Sequence, residues 1–252
     1  MLLESKRPEA LSGTLRWMEA VALAGRNRSP RLFHALLEAP RALAEAATLG
    51  PALPLLLSAP KGDGHPVLVL PGYLADDAST RVLRGYLRER GYAAHGWRLG
   101  RNLGPRDDLQ RRLRNRLEAL RRESGQKLSL VGWSLGGVYA REMARALPRD
   151  VRQVISLGSP FRRNWVGASP EPPPVPSTAI YTRSDGVVAW STCRERETEQ
   201  TQNIEVRGSH VGLGFNPLVL YAVADRLALP DGSWQPFAPS RLRDLFYPAD
   251  RN

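Results

Sequence analysis

A single cysteine, Cys193, excludes any disulfide within this chain of 252 residues. Nothing in its cysteine usage points to an oxidising compartment. Nothing around Cys193 resembles an activated thiol site either, which makes it a weak candidate nucleophile. Long hydrophobic runs are missing too. No stretch of eighteen apolar residues occurs, so no transmembrane helix is expected. The opening Met1-Leu2-Leu3 gives way at once to Glu4, Ser5, Lys6 and Arg7, without the apolar stretch of a secretory leader, and a cytoplasmic protein is the expectation. Histidine is scarce: His34, His65, His95 and His210 lie far apart and do not form a ligand cluster, so neither a metal nor another cofactor is expected.

Acidic residues are outnumbered. Against 36 Lys and Arg stand 25 Asp and Glu, a net charge of +11 supplied mostly by arginine. Such a field favours anionic partners. No nucleic-acid motif accompanies it, so no specific nucleic acid is expected. A solvated arginine-rich surface is the plainer reading, with peripheral contact to an anionic membrane as the alternative.

The rest of the composition, 42% hydrophobic and 24% charged, fits a soluble globular protein. The stretch that organises it is Val131-Gly132-Trp133-Ser134-Leu135-Gly136-Gly137. The apolar run 127–131 before it reads as a buried strand, and the helical pattern Val138, Tyr139, Met143, Ala146 and Leu147 follows it. Ser134 thus sits where a strand turns into a helix, with Gly132 and Gly136 allowing a tight turn. A serine hydroxyl needs a base to become a good nucleophile. The helix behind Ser134 presents free N–H groups and the positive end of its dipole, with the Leu135 N–H placed to hold a developing oxyanion.

Upstream, residues 1–60 are helical in pattern, with Leu11, Leu15, Met18 and Ala22 on one period and Leu32, Leu36, Leu43 and Ala47 on another. Ser29-Pro30 reads as an N-cap, while Pro40 and the run 50–54 interrupt the pattern. Packing of an apolar helix face on the main domain is the plain expectation. Coverage of the active site and a membrane-surface role are the alternatives. Residues 67–70 form a short apolar strand, and Asp76, Asp77 or Ser79 caps the helix after it. A strand at 92–97, a long helix at 105–124 with Leu109, Leu113, Leu117 and Leu120 as its stripe, and strands at 151–157, 178–182 and 203–207 follow. A last helix runs over 217–227, and a tail with Trp234, Phe237, Phe246 and Tyr247 wraps the surface. This alternation predicts a mostly parallel sheet with helices on both faces. Two units are expected, a helical segment 1–60 packed on a core domain 61–252.

A nucleophilic serine needs a base and a group that orients the base. In a parallel sheet both belong on loops at the C-terminal ends of later strands. Asp185 follows the strand 178–182 in Arg183-Ser184-Asp185-Gly186, and His210 follows the strand 203–207 in Gly208-Ser209-His210. His95 is the rival base, and a plain Asp-Gly turn is the alternative for Asp185. The loop Pro71-Gly72-Tyr73 offers the Tyr73 N–H as a second oxyanion donor.

From about His65 to Leu229 the chain resembles the α/β-hydrolase superfamily, most nearly the compact bacterial lipases and esterases. The resemblance rests on residues 67–73, 132–137, Leu157-Gly158-Ser159-Pro160, 181–188 and Gly208-Ser209-His210. It implies carboxylic ester hydrolysis through an acyl-enzyme. Pro71-Gly72 stands where the family has His-Gly, and the short segment between the strands 178–182 and 203–207 makes a large lid doubtful. The expectation is a serine ester hydrolase, an esterase or lipase acting on a small-molecule or lipid ester with an apolar acyl group. Ser134 attacks, His210 shuttles the proton, Asp185 orients His210, and Leu135 and Tyr73 form the oxyanion hole. Leu74, Trp133, Phe161 and Trp165 are the expected pocket walls. An acyltransferase or thioesterase with the same triad is the alternative, and a non-catalytic membrane-associated scaffold a third.

Overall fold

The computed structural model describes residues 32–162, 168–238 and 246–248. Six parallel strands form one sheet: β1 (Pro66–Leu70), β2 (Ala93–Gly96), β3 (Leu128–Trp133), β4 (Val151–Leu157), β5 (Ser177–Tyr181) and β6 (Thr201–Glu205). Their spatial order is β2-β1-β3-β4-β5-β6. The chain starts inside the sheet, visits the β2 edge, returns to β3 and then advances strand by strand. The direction of winding therefore reverses between β1 and β3, the place where open parallel sheets bind ligands beyond their carboxyl ends.

Alternation along each strand builds two cores. Val67, Val69, Val131, Ile155, Leu157, Ile180 and Ile204 face one way, against Leu83 and Leu87 of α4 (Arg81–Glu89) and the buried face of α7 (Pro217–Leu227). Leu68, Leu70, Leu128, Leu130, Val154 and Ala179 face the other way, against α5 (Leu109–Ser124) and α6 (Leu135–Ala146). The sheet is thus buried on both faces, as a parallel sheet must be. The expected stripe of α5, Leu109, Leu113, Leu117 and Leu120, is buried throughout. The helix begins at Leu109 rather than 105, because residues 105–108 turn into it. The final strand lies two residues earlier than the sequence pattern suggests, at Thr201–Glu205.

Two local expectations fail. No side chain caps α4: its N-cap is Thr80, whose side chain makes no cap bond. Asp77 turns away to accept the Trp97 and Arg98 amides at 3.0 and 3.1 Å, and Asp76 closes a turn by accepting the Ala78 N–H. Pro40 does not interrupt a helix. It sits in the first turn of α2 (Glu38–Ala47), where a missing N–H costs nothing.

The larger correction concerns the helices before the sheet, α1 (Leu32–Leu36), α2 and α3 (Leu53–Leu57). Leu32, Leu36 and Leu43, the expected buried face, are 76%, 72% and 75% exposed. The face of α2 that packs on the domain carries Glu38, Arg41, Ala42 and Glu45 instead. It turns inward because its carboxylates and guanidinium meet backbone groups that would otherwise be buried without partners. The pattern Leu11 to Ala22 and the Ser29-Pro30 cap lie outside the described residues. The tail residue Tyr247 is buried, with its ring edge-on to Phe237 and its hydroxyl donating to the Leu218 carbonyl at 2.7 Å. Among the described residues no helix is long and apolar enough to cross a membrane.

Candidate active site

Ser134 follows β3 directly and caps α6, with φ 53° and ψ −123°. A positive φ at a residue with a Cβ is strained, and such strain persists only where the surroundings impose it. Here the surroundings are visible. The Ser134 N–H donates to the Leu157 carbonyl at 2.8 Å, and its carbonyl accepts the Gly137 N–H at 3.0 Å. A Cβ on Gly132 would strike the Gly137 backbone, and one on Gly136 would strike the Leu70 carbonyl. The glycines therefore let α6 start hard against the ends of β3 and β1, and the serine side chain is left half-buried at the sheet's carboxyl edge.

The loop after β1 comes to the same place. A Cβ on Gly72 would lie 3.2 Å from the Ser134 Cβ, so Pro71-Gly72-Tyr73 passes directly beside it. Asn102, buried and unremarked in the sequence pattern, holds this loop. Its Nδ2 donates to the Pro71 carbonyl at 2.9 Å, and its backbone exchanges bonds with Leu74 and Ala75 at 2.7 and 2.8 Å. The Leu135 N–H, at the first position of α6, and the loop at Tyr73 thus flank Ser134 from two sides.

Asp185 and His210 are brought together. His210 Nδ1 lies 2.6 Å from Asp185 Oδ2, and both residues are buried. The other carboxylate oxygen of Asp185 accepts the Val187 and Val188 amides at 2.8 and 2.7 Å, which fixes the side chain towards the imidazole. Burial works to lower the His210 pKa, but the charge and hydrogen bond of Asp185, with Glu38 behind them, outweigh it and raise it above the ordinary imidazole value. Asp185-Gly186 is thus more than a turn. Gly186 is small for another reason: a Cβ there would run into the backbone of His34 and Ala35.

Trp133 ties this pair to the strand that leads to Ser134. Its indole N–H donates to the His210 carbonyl at 3.1 Å, and the two rings stand 6.4 Å apart. Gly158, φ 54°, lets the end of β4 pass under the imidazole, where a Cβ would lie 3.1 Å from His210 Nδ1.

The expected pocket walls fare unevenly. Leu74, φ 61°, is 54% exposed beside the Gly72 loop, and Trp133 is half-buried beneath His210. Phe161 is not a wall. It has no exposed surface, and its ring lies in the core under the Arg141 guanidinium, 3.7 Å from the centroid. Trp165 lies outside the described residues. The rival base His95 is at the β2 edge in register with Leu68, mid-strand rather than at the carboxyl end. Cys193 is buried, and burial together with Asp185 pushes its thiol up, so a thiolate is disfavoured.

A second grouping of the same residue types lies near the opposite end of the sheet. His65 Nδ1 is 2.5 Å from Asp63 Oδ1 and its Nε2 is 2.8 Å from Ser129 Oγ. Neither His65 nor Ser129 has any exposed surface, so no substrate reaches them.

The folded chain is similar to several known proteins. It is 28% identical over 109 residues to a carboxylesterase of Bacillus subtilis, an alignment covering 40% of this chain and 44% of that one. It superposes on Aspergillus fumigatus lipase B with a TM-score of 0.53 at 16% identity, over 70% of this chain and 55% of the lipase. Mouse alpha/beta hydrolase domain-containing protein 10 gives 0.52 at 16% identity, over 66% and 90% of the two chains. The chain therefore spans about half the length of the first two of these relatives. No family model matches it. These likenesses establish the fold: six parallel strands flanked by helices in the α/β-hydrolase arrangement.

Proposed function

We propose that this protein of α/β-hydrolase fold is a serine carboxylic ester hydrolase that works through an acyl-enzyme. The observation that carries the reading is the pairing of a strained serine at the β3–α6 turn with a buried His210–Asp185 couple on the same edge of the sheet. The relatives named lipase and carboxylesterase support it. In this mechanism His210 takes the Ser134 proton as the hydroxyl attacks the ester carbonyl. Asp185 orients the ring and balances the imidazolium that forms. The Leu135 and Tyr73 N–H groups hold the oxyanion, a role worth about a hundredfold or more in rate for each donor. The protonated His210 then releases the alcohol, and water repeats the sequence on the acyl-enzyme. Leu74 and Trp133 supply apolar surface beside Ser134, which suits an apolar acyl group.

The test is turnover of p-nitrophenyl esters from acetate to palmitate, with Ser134→Ala as control and fluorophosphonate labelling of Ser134 alongside. Turnover and labelling lost in a folded Ser134→Ala support the reading. Turnover unchanged in that variant removes it.

A further inference from the structure

One face of α2 makes more bonds to the loops of Asp185 and His210 than those loops make to each other. Glu38 Oε1 accepts the Gly186 N–H at 2.7 Å and the His210 N–H at 3.1 Å, while its Oε2 accepts the Val211 N–H at 3.0 Å. Two turns on, Glu45 Oε1 accepts the Ser209 N–H and hydroxyl, both at 2.6 Å, and Oε2 accepts Asn216 Nδ2 at 2.7 Å. Between them Arg41 donates to the Ser184 carbonyl and Oγ, each at 2.8 Å, and to the Gly208 carbonyl. Residues 184, 186, 208, 209, 210 and 211 are thus gripped by three side chains at i, i+3 and i+7 of one helix.

The fit is close. A Cβ on Gly208 or Gly212 would collide with the Glu45 carboxylate, and one on Gly186 would collide with the chain just before α2. Glu38 is itself buried, 7% exposed. Burying a carboxylate costs several kcal/mol unless it is fully paired. Glu38 meets that demand with three backbone N–H groups, which are donors of fixed direction, and Arg41 stands 4.0 Å away. An apolar side chain would leave those three amides without this acceptor. A helix docked only for stability would bury its leucines, and α2 leaves Leu43 outside.

We infer that α2 is a clamp on the active site, and that Glu38 is a positioning residue that sets His210 and Asp185 in register by bonding the backbones of both their loops. Glu45 and Arg41 complete the clamp from either side. The inference rests on the proposed serine hydrolase reading only for the roles of His210 and Asp185; the clamp itself is a matter of bonds between α2 and the two loops.

The experiment uses the full chain and four variants: Glu38→Gln, Glu38→Asp, Glu45→Gln and, on the outer face, Leu43→Ser. Gln keeps the size of Glu38 but aims an NH2 where an acceptor is needed. We expect Glu38→Gln to lower kcat on a p-nitrophenyl ester about tenfold or more with KM within about twofold, because geometry at the reacting groups is disturbed and substrate contacts are not. Glu38→Asp should recover part of the loss, and Leu43→Ser should match wild type. Amide exchange measured by NMR gives a second readout, in which Gly186, His210 and Val211 exchange at least about tenfold faster in Glu38→Gln. Should Glu38→Gln fail to fold, Glu45→Gln carries the same two readouts at Ser209 and His210. Wild-type turnover together with unchanged exchange in folded Glu38→Gln and Glu45→Gln overturns the clamp. A wild-type protein that hydrolyses no ester overturns the hydrolase reading instead, and the exchange data then decide the clamp alone.

Discussion

The Trp133 indole donates its N–H to the carbonyl of His210 at 3.1 Å, so the residue before Ser134 is bonded to the backbone of the residue that carries the imidazole. Strand β3 therefore leads to Ser134 and also holds the backbone of His210. Trp133→Phe keeps a ring in the half-buried site and leaves the His210 carbonyl without that donor. The carbonyl keeps only the longer bond from the Leu213 N–H, at 3.4 Å, and losing one such hydrogen bond costs about 0.5–1.5 kcal/mol. The expected outcome is a Tm lower by a few degrees and a kcat reduced severalfold, read by calorimetry and ester turnover; a full wild-type kcat would show that the bond does not position His210.

Gly158 permits the approach of β4 to the imidazole. In Gly158→Ala the new methyl would stand 3.1 Å from His210 Nδ1, at a φ of 54° that an alanine resists. The Leu213 side chain, 2.7 Å from the new methyl, must shift, and the His210 ring is pressed against its bond to Asp185. The variant should fold and yet lose about a hundredfold or more in the rate of fluorophosphonate labelling of Ser134, since misplacement by about an ångström carries that penalty.

Asn102 holds the loop that presents Tyr73, by bonds to the Pro71 carbonyl and the Gly104 N–H. Asn102→Ala removes both. If that loop supplies an oxyanion donor, kcat should fall about tenfold to a hundredfold, a fraction of the effect of deleting a donor outright. Steady-state kinetics on a short-chain ester measures it, and an effect on KM alone would place the loop in binding instead.

Turnover should fall as pH drops, because in the proposed mechanism His210 works as a base only when neutral. Its pKa is raised by Asp185, with Glu38 on α2 adding to the effect and Arg41 and Glu45 flanking the same loop. The acid limb of kcat/KM should therefore lie above the ordinary imidazole value of about 6.5. In Glu38→Gln one negative charge is lost, the imidazolium is less favoured, and the limb should move to lower pH. A pH profile of the two proteins checks both the position and the direction.

His65 behaves oppositely. Burial pushes its pKa below the ordinary value, with Arg152 helping and Asp63 and Asp231 opposing. The unfolded chain thus binds a proton at His65 that the folded chain refuses, so this residue makes stability fall as pH drops below about 6.5. Replacing it should flatten that dependence in denaturant titrations. His65→Ala should also cost about 2–4 kcal/mol through a cavity and the loss of its bonds to Asp63 and Ser129. Ester turnover per folded molecule should be untouched.

The sequence made the sheet, the elbow at Ser134 and the loops of Asp185 and His210 readable, because each has a local signature: apolar runs, a Gly-x-Ser-x-Gly turn, a polar residue just after a strand. The stripe of α5 was legible for the same reason. The polarity of α2 was not. Its leucines have helical spacing and imply burial, and nothing near Glu38 indicates that its partners are backbone amides at 186, 210 and 211. Backbone donors carry no mark in a sequence. Asn102 is hidden likewise, since its partners are loop carbonyls and amides. The Asp63, His65 and Ser129 grouping shows the converse: residue types and distances match a catalytic arrangement, and only burial separates it from one.

The grip of α2 also has a consequence for the order in which a ribosome makes this protein. Glu38 emerges before its partners at His210 and Val211, which follow 172 and 173 positions later. At about 5–20 residues per second that is a wait of roughly ten to thirty seconds. Just before it ends all six strands and Ser134 have been made, while Ser209, His210 and Val211, which Glu45 and Glu38 bind, have not. On the proposed reading a growing chain thus carries Ser134 without its base, and the clamp closes only when residues 208–211 meet α2.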